Sequence, residues 1–126
     1  MAKLTLYHYS NKSFDGNISP AFFGDNSYSL NSAQVSGIKR AFFYLEAGAR
    51  ECYLDGARYL YTAEIERARL YDIDKDALHI LPRLHGRDIY AVLKSKGFAG
   101  AIGNNEQACA VLFHAVKIKT RETLTN

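Results

Sequence analysis

A chain of 126 residues with 48% hydrophobic and 13% aromatic content is sized for one domain, residues 1–126, whose core needs neither disulfides nor structural metal. Its 16 basic and 13 acidic residues leave a formal charge of +3 and interleave along the chain. That balance does not call for a nucleic-acid partner, although it leaves room for an acidic ligand. No stretch approaches the roughly 20 apolar residues of a membrane span. The N-terminal MAKLTLYHYS lacks the apolar segment of a signal peptide, and Cys52 and Cys109 match no metal spacing. A reducing, cytoplasmic setting is expected, with Cys109 a buried free thiol.

In chain order, KLTLYHY sets Leu4, Leu6 and His8 against Thr5, Tyr7 and Tyr9, the period of a strand. A loop rich in Asn, Ser, Gly and Pro follows from Ser10 to Pro20. Beyond the turn in AFFGDNSYSL, Asn31 or Ser32 caps an expected helix with apolar positions Val35, Ile38, Phe42 and Leu45, weakened at Gly37. From Ala57, Tyr59, Tyr61 and Ala63 alternate with Leu60, Thr62 and Glu64, which predicts one or two strands through Asp74. A short helix is expected over Asp76–Leu81, closed by Pro82. GRDIYAVLKSKGF predicts a helix with Ile89, Val92 and Leu93 on one stripe, lysines near its C-terminal dipole and Gly97 as its stop. AGAI and ACAVLFHAVKIK predict the closing strands. Strand, helix, strands, helix, strands is the order of an α+β domain.

The chemistry is narrowed by what the motifs lack. Asp72, Asp74 and Asp76 alternate like an EF-hand loop, but Ala77 stands where its glycine belongs and Arg83 where its bidentate glutamate belongs. His79 and His85 have no ligand partners at zinc spacing, so no metal is expected. Gly97, Gly100 and Gly103 follow a helix rather than opening one, which excludes phosphate-loop and dinucleotide fingerprints. No serine sits in a nucleophile elbow, and Cys109 lies inside an apolar run. Arg40, beside Lys39, reads as a surface charge, with contact to a pyrophosphate as its functional alternative.

LYHYS, FFGDNSYSLNSAQVSGIKRAFFY, LKSKGFAGAI and NNEQACAVLF, in that order, resemble the successive motifs of ADP-ribosyltransferases of the His-Tyr-Glu group, the small phage-encoded members above all. The resemblance spans nearly the whole chain. It implies a compact split β-sheet core with a few short helices and NAD as co-substrate. Glu106 is implied as the catalytic carboxylate, since a developing ribosyl cation needs a negative partner. Tyr28 and Tyr44 are implied as the rings enclosing nicotinamide. His8 would donate to a ribose hydroxyl, the Tyr9 backbone would clasp the carboxamide, Ser10 would reach the adenosine side, and Gln107 would lie beside Glu106. The implied activity is mono-ADP-ribosylation of a macromolecule, a host protein if the gene travels on a phage or mobile element. Three departures stand out: Tyr9 occupies a position that is usually glycine, Tyr28 and Tyr44 are widely spaced, and alignment on AVLF sets Cys109 at the place of the expected glutamate, with Glu106 a few residues earlier. The alternative is the same fold without catalysis, inhibiting a partner or holding a nucleotide by occupancy.

Overall fold

The computed structural model describes residues 2–10, 12–20, 38, 40–45, 57–103 and 109–124. Its elements are β1 (Lys3–Ser10), β2 (Asn17–Ile18), β3 (Ala41–Tyr44), β4 (Tyr59–Glu66), β5 (Leu70–Asp72), α1 (Ile89–Ser95), β6 (Gly100–Ile102), β7 (Cys109–Leu112), β8 (Val116–Lys117) and β9 (Thr120–Thr123). Seven strands form one mixed sheet in the order β5-β6-β7-β3-β1-β4-β9, and β2 pairs with β8 apart from it. Only β5 and β6 run parallel; every other pair is antiparallel. The domain is α+β, as the element order predicts.

β1 and β4 form because their apolar residues repeat with period 2. Leu6, Tyr61 and Ala63 are fully enclosed on one face, with Ile65 nearly so. Phe14, Ile18 and the half-buried Val116 and Ile118 cover that face from the β2–β8 side. The register Lys3↔Glu66 through Ser10↔Tyr59 keeps the two strands in step along their full length. A slip of one residue would turn every one of these side chains to the other face.

Ile65 of β4 and Leu112 of β7 belong to the same core and line the same cleft, although β3 and β1 stand between their strands. Three strand spacings amount to about 14 Å in a flat sheet. The sheet therefore curls, and its two halves enclose a shared interior.

The opposite face is packed at one end by α1, which buries Ile89, Tyr90 and Leu93 against Tyr71, Ala101, Val111 and Phe113. The expected stripe of Ile89, Val92 and Leu93 is thus observed with Tyr90 more deeply buried than the half-buried Val92. Asp88 caps the helix by accepting hydrogen bonds from the backbone N–H of Tyr90 (2.9 Å) and Ala91 (3.4 Å). Gly97, at φ 93°, ends it in the left-handed conformation that glycine adopts without strain.

Two sequence expectations fail. The helix expected to run through Leu45 is replaced at its C-terminal end by strand β3; residues 31–37 lie outside the described residues. β3 is central, paired to β7 on one side and β1 on the other, with Ala41, Phe43 and Tyr44 buried and Phe42 half-buried. A strand covered on both faces is a continuous apolar run and loses its alternation. The spacing of Ile38, Phe42 and Leu45 then mimics a helical stripe. The helix expected over Asp76–Leu81 is also absent. Asp76 and His79 take left-handed φ values of 43° and 53°, which no helix accommodates. Pro82 enters the first turn of a 3-10 segment, Leu81–Arg83, rather than closing a helix.

The Asp76 carboxylate holds this irregular stretch together. It accepts from the backbone N–H of Ile80 (2.8 Å) and Leu81 (3.0 Å) and from the Tyr71 hydroxyl. The aspartates read in sequence as a strand end and a cap thus act as turn-builders. Asp72 accepts from the Lys75 N–H (3.1 Å), and no group of metal-ligating side chains occurs among the described residues. No described helix is long and apolar enough to cross a membrane.

Candidate functional site

Of the residues singled out by sequence, His8, Tyr9, Ser10 and Tyr44 are described. Tyr28, Glu106 and Gln107 lie outside the described residues; Glu106 and Gln107 fall between Gly103, which follows β6, and Cys109, which opens β7. Cys109 pairs with Tyr44, so β7 enters the sheet beside the last residue of β3.

His8 is 8% exposed. Its ring lies against Phe43 (centroids 5.5 Å apart) and edge-on to Phe14 (5.8 Å), with Tyr61 at 6.5 Å. Its Nδ1 lies 2.7 Å from the Phe42 carbonyl oxygen. A carbonyl only accepts, so Nδ1 carries the proton and donates. Burial lowers the His8 pKa below its usual 6.5, because a charged imidazolium is poorly solvated among rings; the Phe42 bond opposes that fall without reversing it. The group is a neutral imidazole with its tautomer fixed, and its Nε2 is then an acceptor. The bond also ties β1 to β3, which share the ladder pair Tyr7↔Tyr44 among the described residues.

That pair decides which side chains can cooperate. Residues directly opposite in register point to the same face, and neighbours along a strand alternate. Tyr7 and Tyr44 therefore share one face, Tyr9 joins them, and His8 points to the other. The packing agrees. The Tyr9 and Tyr44 rings are 6.3 Å apart and form a small cluster with Ala57, flanked by Tyr7, Leu60 and Leu124. His8 and Tyr44 cannot touch the same ligand ring. Ser10, at the end of β1, accepts a hydrogen bond from the Lys12 N–H (3.0 Å) and shapes the turn that leaves the strand.

From sequence Tyr61 is a strand residue and nothing more. Its hydroxyl accepts from the Phe14 N–H (2.8 Å) and donates to the Lys12 carbonyl (2.7 Å), fixing the 12–14 turn over His8. Its place in the alternating strand predicts the ring's burial, but no local signal gives these partners, which are 47 and 49 residues away.

Arg40 corrects its reading as a surface charge. It is 2% exposed, with its guanidinium carbon 4.8 Å from the Tyr90 ring centre and 5.5 Å from that of Phe42, and Nη1 donates to the Ile38 carbonyl (2.9 Å). The flat, weakly hydrated guanidinium suits a slot between rings better than an ammonium would. The basic pair Lys39-Arg40 gave no sign of this, because the rings lie on other elements.

A cleft of about 300 Å³ opens elsewhere, lined by Glu64, Ile65 and Glu66 of β4, by Lys3, Arg69 and Ala99, and by Leu112 to Val116 without Phe113. None of the described candidate residues, His8, Tyr9, Ser10 and Tyr44, lines it. No family model, curated protein or solved structure matches this chain.

Proposed function

We propose that the chain is a mono-ADP-ribosyltransferase that cleaves NAD at the nicotinamide–ribose bond and passes ADP-ribose to a macromolecular acceptor, a host protein if the gene is phage-borne. The observation that carries this reading is His8: a first-strand histidine, neutral and orientated by the Phe42 carbonyl within an α+β domain. In that tautomer it would accept a hydrogen bond from a ribose hydroxyl, the reverse of the donation expected from sequence. Glu106 would stabilise the positive ribosyl carbon as nicotinamide departs with the electrons of the broken bond, and an acceptor nucleophile would then close on that carbon. The curled sheet, with one core shared by its halves, fits a split-sheet architecture of this kind.

A second reading is a module that binds NAD or a partner without turnover. It is favoured by the placement of His8 and Tyr44 on opposite faces, which leaves the expected two-sided ring pocket without one of its walls at His8. Incubation with labelled NAD, alone and with cell lysate, separates the two. For an enzyme, Glu106→Gln should lower label transfer and nicotinamide release by about 10²–10³-fold, with stability changed by no more than about 0.5 kcal/mol. Equal, null signals from the folded wild type and the variant would establish the binding module instead.

A further inference from the structure

β4 is paired along its whole length on one side and along half its length on the other. Every residue from Tyr59 to Glu66 faces a partner in β1, whereas pairing with β9 runs only from Tyr59↔Thr123 to Thr62↔Thr120. Three main-chain bonds fix which groups point which way. Leu124 N–H donates to Arg58 (2.7 Å) and Lys119 N–H to Thr62 (2.7 Å), so the even-numbered residues of this strand aim at the β9 side. Arg67 N–H donates to Ala2 (3.0 Å), so the odd-numbered ones aim at β1. By strand alternation, the N–H and C=O groups of Glu64 and Glu66 point to the β9 side, past the point where β9 begins.

No main chain among the described residues meets them there, because the chain before Thr120 turns away. Ile118 N–H donates to Gly16, and Val116–Lys117 pairs with β2. The cleft lies on this side, bounded by Glu64, Ile65 and Glu66 and by Leu112, His114, Ala115 and Val116. Among the described residues, the second half of β4 therefore leaves a main-chain edge open beside this cleft.

We propose that this edge binds an extended polypeptide segment of a partner protein, by strand addition to β4. Two outward donor–acceptor pairs, a strand repeat of about 6.6–6.8 Å apart, match an extended main chain. Sugars, nucleotides and lipids carry no such alternation. The side chains set a preference. The peptide residue opposite Ile65 falls on the apolar wall formed with Ala99, Leu112 and Val116 and should be apolar. Its two neighbours fall opposite Glu64 and Glu66 on the other face, where basic side chains pair best across strands. Lys119 already sets Nζ 3.1 Å from Glu64 Oε1 at this mouth, and Lys3 stands opposite Glu66 in register. The recognised pattern is basic, apolar, basic.

The test is hydrogen exchange by NMR on the whole chain, with and without the peptide acetyl-Thr-Lys-Val-Lys-Thr-amide. Without it, the Glu64 and Glu66 amides exchange quickly while Ile65, bonded into β1, is protected. Saturating peptide should slow Glu64 and Glu66 at least tenfold and leave Ile65 unchanged. Methylating the two lysine amide nitrogens of the peptide should abolish the effect, and replacing its valine by aspartate should weaken it. Glu64→Pro removes one outward donor without touching the β1 ladder and should weaken binding. Ala115→Trp, at an exposed lining position, should block the cleft in a folded protein. The proposal is overturned by no slowing at millimolar peptide, or by equal slowing with the methylated peptide. It is also overturned by protection that grows with protein concentration alone, which would mean self-pairing.

Discussion

On the face shared by Leu6, His8, Phe43 and Tyr61, packing joins residues far apart in the chain; on the face backed by α1 it comes largely from one stretch, Tyr71 to Phe113. Polar groups follow the same division. His8 reaches Phe42 and Tyr61 reaches Phe14 and Lys12 across 34 to 49 residues. Behind α1, Asp76 and Asp88 satisfy backbone groups two to five residues away. One face is held by assembly and the other by local order. Damage to the first should be felt by the whole molecule, and damage to the second first by its own stretch.

The largest expected effect is on the assembled face. Phe43→Ala, at 2% exposure beside the His8 ring, should cost about 3–5 kcal/mol, read as a lower urea midpoint that is the same for probes on either face. Gly100→Ala should follow at about 1–3 kcal/mol. A Cβ there would stand 2.0 Å from the Val111 carbonyl oxygen and 2.9 Å from a Leu112 methyl, so β6 and β7 must shift apart. Asp88→Ala should cost about 1 kcal/mol and quicken amide exchange in Ile89–Ser95 before β1 or β4. A loss spread evenly over the chain would erase the distinction between the faces.

Acid sharpens the comparison most finely. The native His8 pKa lies below 6.5, so the unfolded chain takes up its proton first; the His8 contribution is complete above 6.5 and is lost as pH falls toward the native value. Burial pushes the Asp76 carboxyl up, but bonds from Tyr71, Ile80 and Leu81 outweigh it and hold the group below its ordinary 3.8. Its contribution is present above 3.8 and lost as pH falls below that. The assembled face should loosen first on acidification and the local one later. Urea midpoints across this range should lose their upper slope in His8→Gln and their lower slope in Asp76→Asn.

The same division explains what the sequence disclosed. β1, β4 and α1 are legible because one of their faces is wet, or because a cap and a glycine frame them. β3 is not, since burial on both faces removes the signal that separates a strand from a helix. That single misreading carries through to the site. On a helix Tyr44 has no fixed relation to His8; on β3 the pair Tyr7↔Tyr44 sends it to the other face. Arg40 was hidden for a related reason, its two rings being supplied by β3 and α1. His8 was legible in kind and in face, but not in tautomer, which depends on a carbonyl 34 residues away.

The position of β3 has a consequence for synthesis. Ala-Phe-Phe-Tyr leaves the ribosome long before Cys109–Leu112, the strand that covers one of its two edges. At about 5–20 residues per second, that edge waits for seconds as bare main chain beside two phenylalanines and a tyrosine, which is the kind of surface that recruits other chains. Nascent copies crowded on one message are therefore the most vulnerable form of this protein, and the arrival of β7 ends the exposure.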